Sequence, residues 1–264
     1  MAAIQPMEQF LVHKLVPIPP FVVAGVPVDL SITNSVATMM GAALAISVFF
    51  LLSAQGKTVP GRLQASGEML YDLVDKGLTG PMIGDRGRPF LPYVFALFSL
   101  IAVLDIWGVV PGTFTVTSQL AVTITLAIVT FLMVIVVGLV RNGLGFFKLF
   151  VPSGVHWIML LLVVPIEVVS FLVRPVTLSM RLFGNMIGGH VVLYMFGSFV
   201  VAMFGFAVQT GGFGYLAVVG SALSLFMVIA LSALELIVAF LQAFVFAALT
   251  CTYLSDVVNL DHGH

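Results

Sequence analysis

Polar side chains are so sparse along this chain of 264 residues that the apolar runs between them define its elements. Residues 1–29, punctuated by prolines and only moderately apolar, read as an irregular or short interfacial segment. Residues 30–54 carry no charge and are long enough for a first spanning helix. The character then changes: Lys57 to Arg88 holds five basic and four acidic residues, while Leu63, Leu70, Val74 and Leu78 recur near helical spacing. With Asp72 and Lys76 forming an i,i+4 pair on another face, 60–88 predicts an amphipathic helix on the membrane surface. The next apolar runs, over 90–140, predict a helix pair turning at Pro111 and Gly112, with Asp105 interrupting the first member near its end. After a polar connection from Arg141 to His156, two very long runs fill 157–258 and meet at Gly211, Gly212 and Gly214.

Those last runs reach about 60 Å or more as helices, against a hydrocarbon core of about 30 Å. They therefore predict a strongly tilted hairpin, kinked at Pro165 and Pro175. The fold expected is an all-α membrane protein forming one integral membrane domain. It has about five membrane-embedded helices, three upright and then the tilted hairpin, plus the amphipathic surface helix.

Composition agrees: 61% of residues are hydrophobic and 8% charged, with a mean hydropathy of +1.20. Soluble domains run at about 45–50% apolar and about 25% charged. A net charge of −1 offers no attraction to nucleic acid. The single cysteine, Cys251, excludes a disulfide framework, and no metal-ligand or nucleotide-binding spacing occurs. Gly212-Phe213-Gly214 resembles a dinucleotide fingerprint only weakly and has no strand before it. The chain is thus expected to need no cofactor or metal and to perform no catalysis itself. Basic residues set the orientation: five fall in 57–88, two in 141–156 and none in the turns near 111–118 and 205–214. The positive-inside rule then puts the N-terminus outside and the C-terminus in the cytoplasm.

Against this apolar background, one polar stripe stands out. Glu167, Ser170, Arg174, Thr177, Arg181 and Asn185 are spaced three or four apart and share one helix face. A charged group at mid-membrane costs about 2.5–3.5 kcal/mol on the insertion scale. Glu167 and Arg174 could pair at i,i+7 or snorkel toward the inner end. Arg181 stays charged at any relevant pH; its partner is either Glu235 on the second arm or a carboxylate of another subunit. His190 lies nine residues beyond Arg181, half a turn round, and Glu235 and Gln242 share a face of the second arm. His190 and Glu235 are therefore expected neighbours across the hairpin. An imidazole beside an intramembrane carboxyl is suited to relaying protons. Two offset aqueous half-paths result, His190, Glu235 and Gln242 leading in from outside, Glu167 and Ser170 leading out to the inside, with Arg181 between them. Gly184, Gly188 and Gly189 either admit another backbone near Arg181 or serve ordinary packing.

These residues also carry a family resemblance. Arg181-Leu182-Phe183-Gly184-Asn185-Met186, preceded by Arg174-Pro175-Val176-Thr177-Leu178-Ser179-Met180, resembles the signature of subunit a of F-type ATP synthase membrane sectors. Glu235 followed by Gln242-Ala243-Phe244-Val245-Phe246, with Tyr253 beyond, is similar to that family's last helix. Pro6-Met7-Glu8-Gln9-Phe10 and Trp107-Gly108-Val109-Val110-Pro111-Gly112 agree with it. The resemblance implies a proton-translocating stator subunit, with Arg181 facing the carboxylate of a rotating c-ring. It implies an outer half-channel lined by Asn185, His190, Glu235 and Gln242, and an inner one lined by Glu167 and Ser170. The partners implied are the c-subunit ring, peripheral-stalk b-type subunits and the lipid bilayer. The location implied is the bacterial plasma membrane, with the mitochondrial inner membrane as the alternative. Many bacterial members carry Glu where His190 stands and His where Glu235 stands; here the two are exchanged, as expected of a functional pair. Asp105 departs from the family's usual Asn.

Two other classes compete. A secondary transporter binding an anion at Arg181 would call for an inverted repeat, and the first half has no counterpart to the arginine stripe. A structural scaffold would have no need of Arg181, His190 and Glu235 in apolar helices.

Overall fold

The computed structural model describes residues 10–17, 21–23, 26–28, 31–54, 56, 59–110, 113–151, 157–210 and 214–259. Expectations for residues 1–9, Lys57, Pro111, Gly112, His156, Gly211 and Gly212 lie outside the described residues. The chain is all-α in its bulk, and five helices are long and apolar enough to cross a membrane.

Ahead of them, the N-terminal segment is not irregular throughout. Short strands β1 (Lys14–Val16) and β4 (Ile32–Thr33) pair antiparallel, as do β2 (Phe21–Val23) and β3 (Val26–Val28). The runs are rich in Val and Ile, which favour extended backbone. Helix α1 (Asn34–Ser53) starts directly after β4, where the Thr33 hydroxyl accepts from the Val36 amide at 3.4 Å and caps it.

The expected surface helix over 60–88 is a broken one. It divides into α2 (Arg62–Val74), a π turn (Asp75–Thr79), α3 (Gly80–Ile83) and a 3₁₀ turn (Asp85–Phe90). Gly77, Gly80 and Pro81 weaken the helix there, and Gly84, at φ 77°, needs the left-handed freedom of glycine. Leu70, Val74 and Leu78 reach the core, whereas Leu63 is exposed. Lys76 donates to Asp72 at 2.6 Å, and that hydrogen bond, with the opposite charge, raises the ammonium's pKa above its ordinary value.

Helices α4 (Leu91–Val109) and α5 (Leu120–Asn142) follow, joined through a 3₁₀ turn at Val116–Ser118. Asp105 does not break α4; it is fully buried within it. The hairpin is α6 (Trp157–Thr210, 54 residues) and α7 (Gly214–Val258, 45 residues). The core lies where α4, α5 and α6 meet α7. Ala239, Ala243, Ala247 and Cys251 recur every four residues on α7 and are fully buried, a small-residue face that lets neighbouring helices approach closely. Phe98 and Ile101 of α4, Val134 of α5, and Leu178 and Leu182 of α6 fill the space around it.

Among the described glycines, Gly138 of α5 is the most tightly enclosed: a Cβ there would stand 2.5 Å from Phe146 and 2.7 Å from Val257. Gly138→Leu is expected to lower the thermal midpoint of the detergent-solubilised protein, at an overpacking cost of about 1–3 kcal/mol. Gly41→Leu, at a position where a Cβ meets nothing within 4 Å, should leave the midpoint in place.

Candidate functional site

Three elements converge on His190. On α6, its Nε2 lies 2.9 Å from the Thr115 hydroxyl, which is held in the connection between α4 and α5. The same Nε2 lies 3.7 Å from Oε1 of Glu235 on α7. The third contact is the Phe10 ring, edge-on at 6.2 Å between centroids. Glu235 is buried, at 7% exposure, and the helix opposite makes room for it. A Cβ on Gly189 would stand 2.7 Å from the Glu235 carboxyl. Gly189 thus serves packing within the chain, whereas Gly184 and Gly188 face open space.

Asn185, Gly189 and Glu235 line a common, partly open cavity of about 180 Å³, together with Val192, Leu231 and Leu234. Glu235 thus faces Asn185 across this cavity and His190 at 3.7 Å. Gln242, two turns along α7, is half-buried and outside that cavity.

Arg181 sits on α6, nine residues or about 13 Å of helix before His190. It is exposed and forms no ion pair among the described residues. Glu235 does not pair with it, being engaged beside His190. Arg174, two turns away on the same stripe, does not pair with Glu167. Its guanidinium Nη1 donates to Asp256 at 2.8 Å, while its Cζ stands 4.8 Å from the Tyr253 ring centre and 5.5 Å from that of Phe171. Glu167 is half-buried without an ion pair among the described residues, and Ser170 is exposed. The stripe thus contains one neutralised arginine and one available arginine.

Sequence reasoning missed Thr115, Asp256 and the contact of Phe10. Asp256 is an acidic residue near the end of α7, 82 residues from its partner; an arginine short of a counter-ion was the available signal. Thr115 lies in a turn, where periodicity says nothing about direction. Asp105, buried on α4, faces the Thr117 hydroxyl without reaching hydrogen-bonding geometry.

A group of this kind can carry a proton between an imidazole and a buried carboxyl and present a fixed positive charge a short way along the same helix. No set of three or more metal-ligating His, Cys, Asp or Glu side chains occurs among the described residues.

Comparison with known proteins finds relatives that match nearly the whole chain. The family model described as ATP synthase A chain matches residues 36–255. The ATP synthase subunit a of Mesorhizobium japonicum is 46% identical over 260 residues, covering 98% of each chain. That of Rhodopseudomonas palustris strain HaA2 is 48% identical over 234 residues, covering 89% of this chain and 91% of its own. ATP synthase subunit a 1 of Brucella anthropi is 44% identical over 258 residues, covering 97% and 98%.

The ion pair across the hairpin makes a thermodynamic prediction. A double-mutant cycle with Arg174→Gln and Asp256→Asn, read from unfolding of the purified protein in mixed micelles, should return a favourable coupling of about 0.5–3 kcal/mol. A coupling of zero would mean that the 2.8 Å contact contributes nothing to holding α6 on α7.

Proposed function

Because the chain belongs to the ATP synthase A chain family, and is thereby a non-catalytic multi-pass subunit of the proton-translocating membrane sector, we propose the following mechanism for it. The subunit supplies two offset half-channels and the arginine between them. A proton enters from outside through His190, Glu235, Asn185 and Gln242 and neutralises a carboxylate on a rotating c-ring. The neutral carboxyl can pass into lipid, because it no longer carries the cost of a buried charge. After almost a full turn it meets Arg181 and gives its proton to the inner half-path at Glu167 and Ser170. It then passes Arg181 as an anion.

The observation that carries this reading is the division of labour along α6. A buried His190–Glu235 contact at 3.7 Å stands about 13 Å along the helix from an exposed arginine without an ion pair among the described residues. Such a guanidinium in a spanning helix calls for a carboxylate from outside the chain. It also repels a proton between the half-paths. The neutralisation of Arg174 by Asp256 leaves Arg181 as the stripe's available positive charge.

The lengths of α6 and α7, 54 and 45 residues, favour a strongly tilted hairpin against the ring, since about 20 residues suffice to span upright. The c-subunit ring and peripheral-stalk b-type subunits are the partners this role requires. Bacterial relatives favour the plasma membrane, and the basic loops favour an external N-terminus and a cytoplasmic C-terminus.

The test is passive proton conduction through the assembled membrane sector in vesicles, after the catalytic head is stripped away. His190→Ala and Glu235→Gln should each lower conduction about tenfold or more at unchanged levels of complex. Parental conduction in both variants would remove the pair from the path.

A further inference from the structure

We propose that the N-terminal segment from Phe10 to Val16 roofs the outer end of the site and that Phe10 is a positioning residue for His190. The proposal rests on the reading of His190 and Glu235 as the proton-carrying pair.

The segment is fastened at two places. At the start of α5, the Gln119 side-chain amide donates to the Phe10 carbonyl at 2.8 Å. At the start of α1, Asn34 makes three bonds to the segment. Its Nδ2 donates to the Leu11 carbonyl at 3.2 Å, its Oδ1 accepts from the His13 amide at 3.2 Å, and its own amide donates to the His13 carbonyl at 3.0 Å. The β1–β4 pairing continues this attachment. Leu11, Val12, Leu15 and Val16 all point outward, at 48–58% exposure, so they do not explain why the segment is held so closely. Phe10 does. Its half-buried ring meets the imidazole edge-on, 6.2 Å between centroids and 72° between planes, the geometry favoured by aromatic quadrupoles.

What Phe10 supplies is orientation. The imidazole torsion is broad and close to two-fold, and turning the ring over would take Nε2 away from both the Thr115 hydroxyl at 2.9 Å and Glu235 at 3.7 Å. The Phe10 edge stands against that rotation. Among the described residues, the polar and aromatic contacts of the imidazole are Glu235 from α7, the uncharged Thr115 from the α4–α5 connection and Phe10 from the N-terminal segment. Asp105 of α4 lies beside Thr117 of the same connection. A ring free to turn would spend part of its time with Nε2 off the path, and its proton affinity would change with the lost contacts.

The experiment measures passive proton conduction against pH in vesicles carrying the whole complex, stripped of its catalytic head, with complex levels measured alongside. Phe10→Ala should lower conduction about two- to tenfold and move the midpoint of its pH profile, while Phe10→Tyr restores both. Gln119→Leu, which removes the donor to the Phe10 carbonyl, should act in the same direction, and it decides the matter if Phe10→Ala fails to assemble. An unmoved midpoint with unchanged conduction overturns the proposal. So does higher conduction with an unmoved midpoint, which would make the segment a plug. His190→Ala separates the two readings: if it conducts as the parent does, the proton-path assignment fails; if it blocks conduction while Phe10→Ala is silent, only the role of Phe10 fails.

Discussion

An ionisable side chain inside an apolar helix is costly unless it finds a partner, and which of them do find one shapes how this molecule is put together. With only 8% of residues charged, each such group in the spanning helices is conspicuous. Arg174 is answered by Asp256 and by the faces of Tyr253 and Phe171. Glu235 is answered by His190, and His190 by Thr115. Of the two arginines on the stripe, Arg181 is exposed and has no ion pair among the described residues. A stator that must meet a moving carboxylate needs such an arginine, and it needs the neighbouring arginine to be silent.

Packing serves the same end. The alanine face of α7 brings α4 and α5 close to the hairpin, so that the connection carrying Thr115 lies over His190. Gly189 gives Glu235 its place against α6. The imidazole and carboxyl therefore lie between α6, α7 and the α4–α5 connection, while Arg181 projects from the other side of the same helix. Within one α-helix, a displacement of nine residues turns the side chain half round and moves it about 13 Å, enough to separate an entry group from a charge barrier without any change of element.

Much of this was legible before the structure. The five long apolar helices follow from transfer energetics alone, because no other arrangement hides that much apolar surface. Half-turn counting along α6 already turned His190 away from the arginines, and it meets Glu235 rather than Arg181. Contacts made by turns and chain ends were not legible. Asp256 reaches Arg174 from 82 residues away, and Thr115 comes from a connection whose direction no periodicity encodes. The leucine spacing of the surface helix predicts a continuous element, yet Gly77, Gly80, Pro81 and Gly84 divide it. Local backbone preference outweighed the apolar pattern there.

The claim on which the rest stands is that Arg181 couples proton movement to rotation. The measurement that bears on it most directly compares ATP-driven proton pumping with passive conduction in vesicles carrying the complex with Arg181→Ala. Pumping should be lost while passive conduction through the stripped membrane sector persists, since removing the fixed charge lets the half-paths communicate. Pumping at the parental level would contradict the claim and reduce Arg181 to an exposed charge of no consequence for coupling.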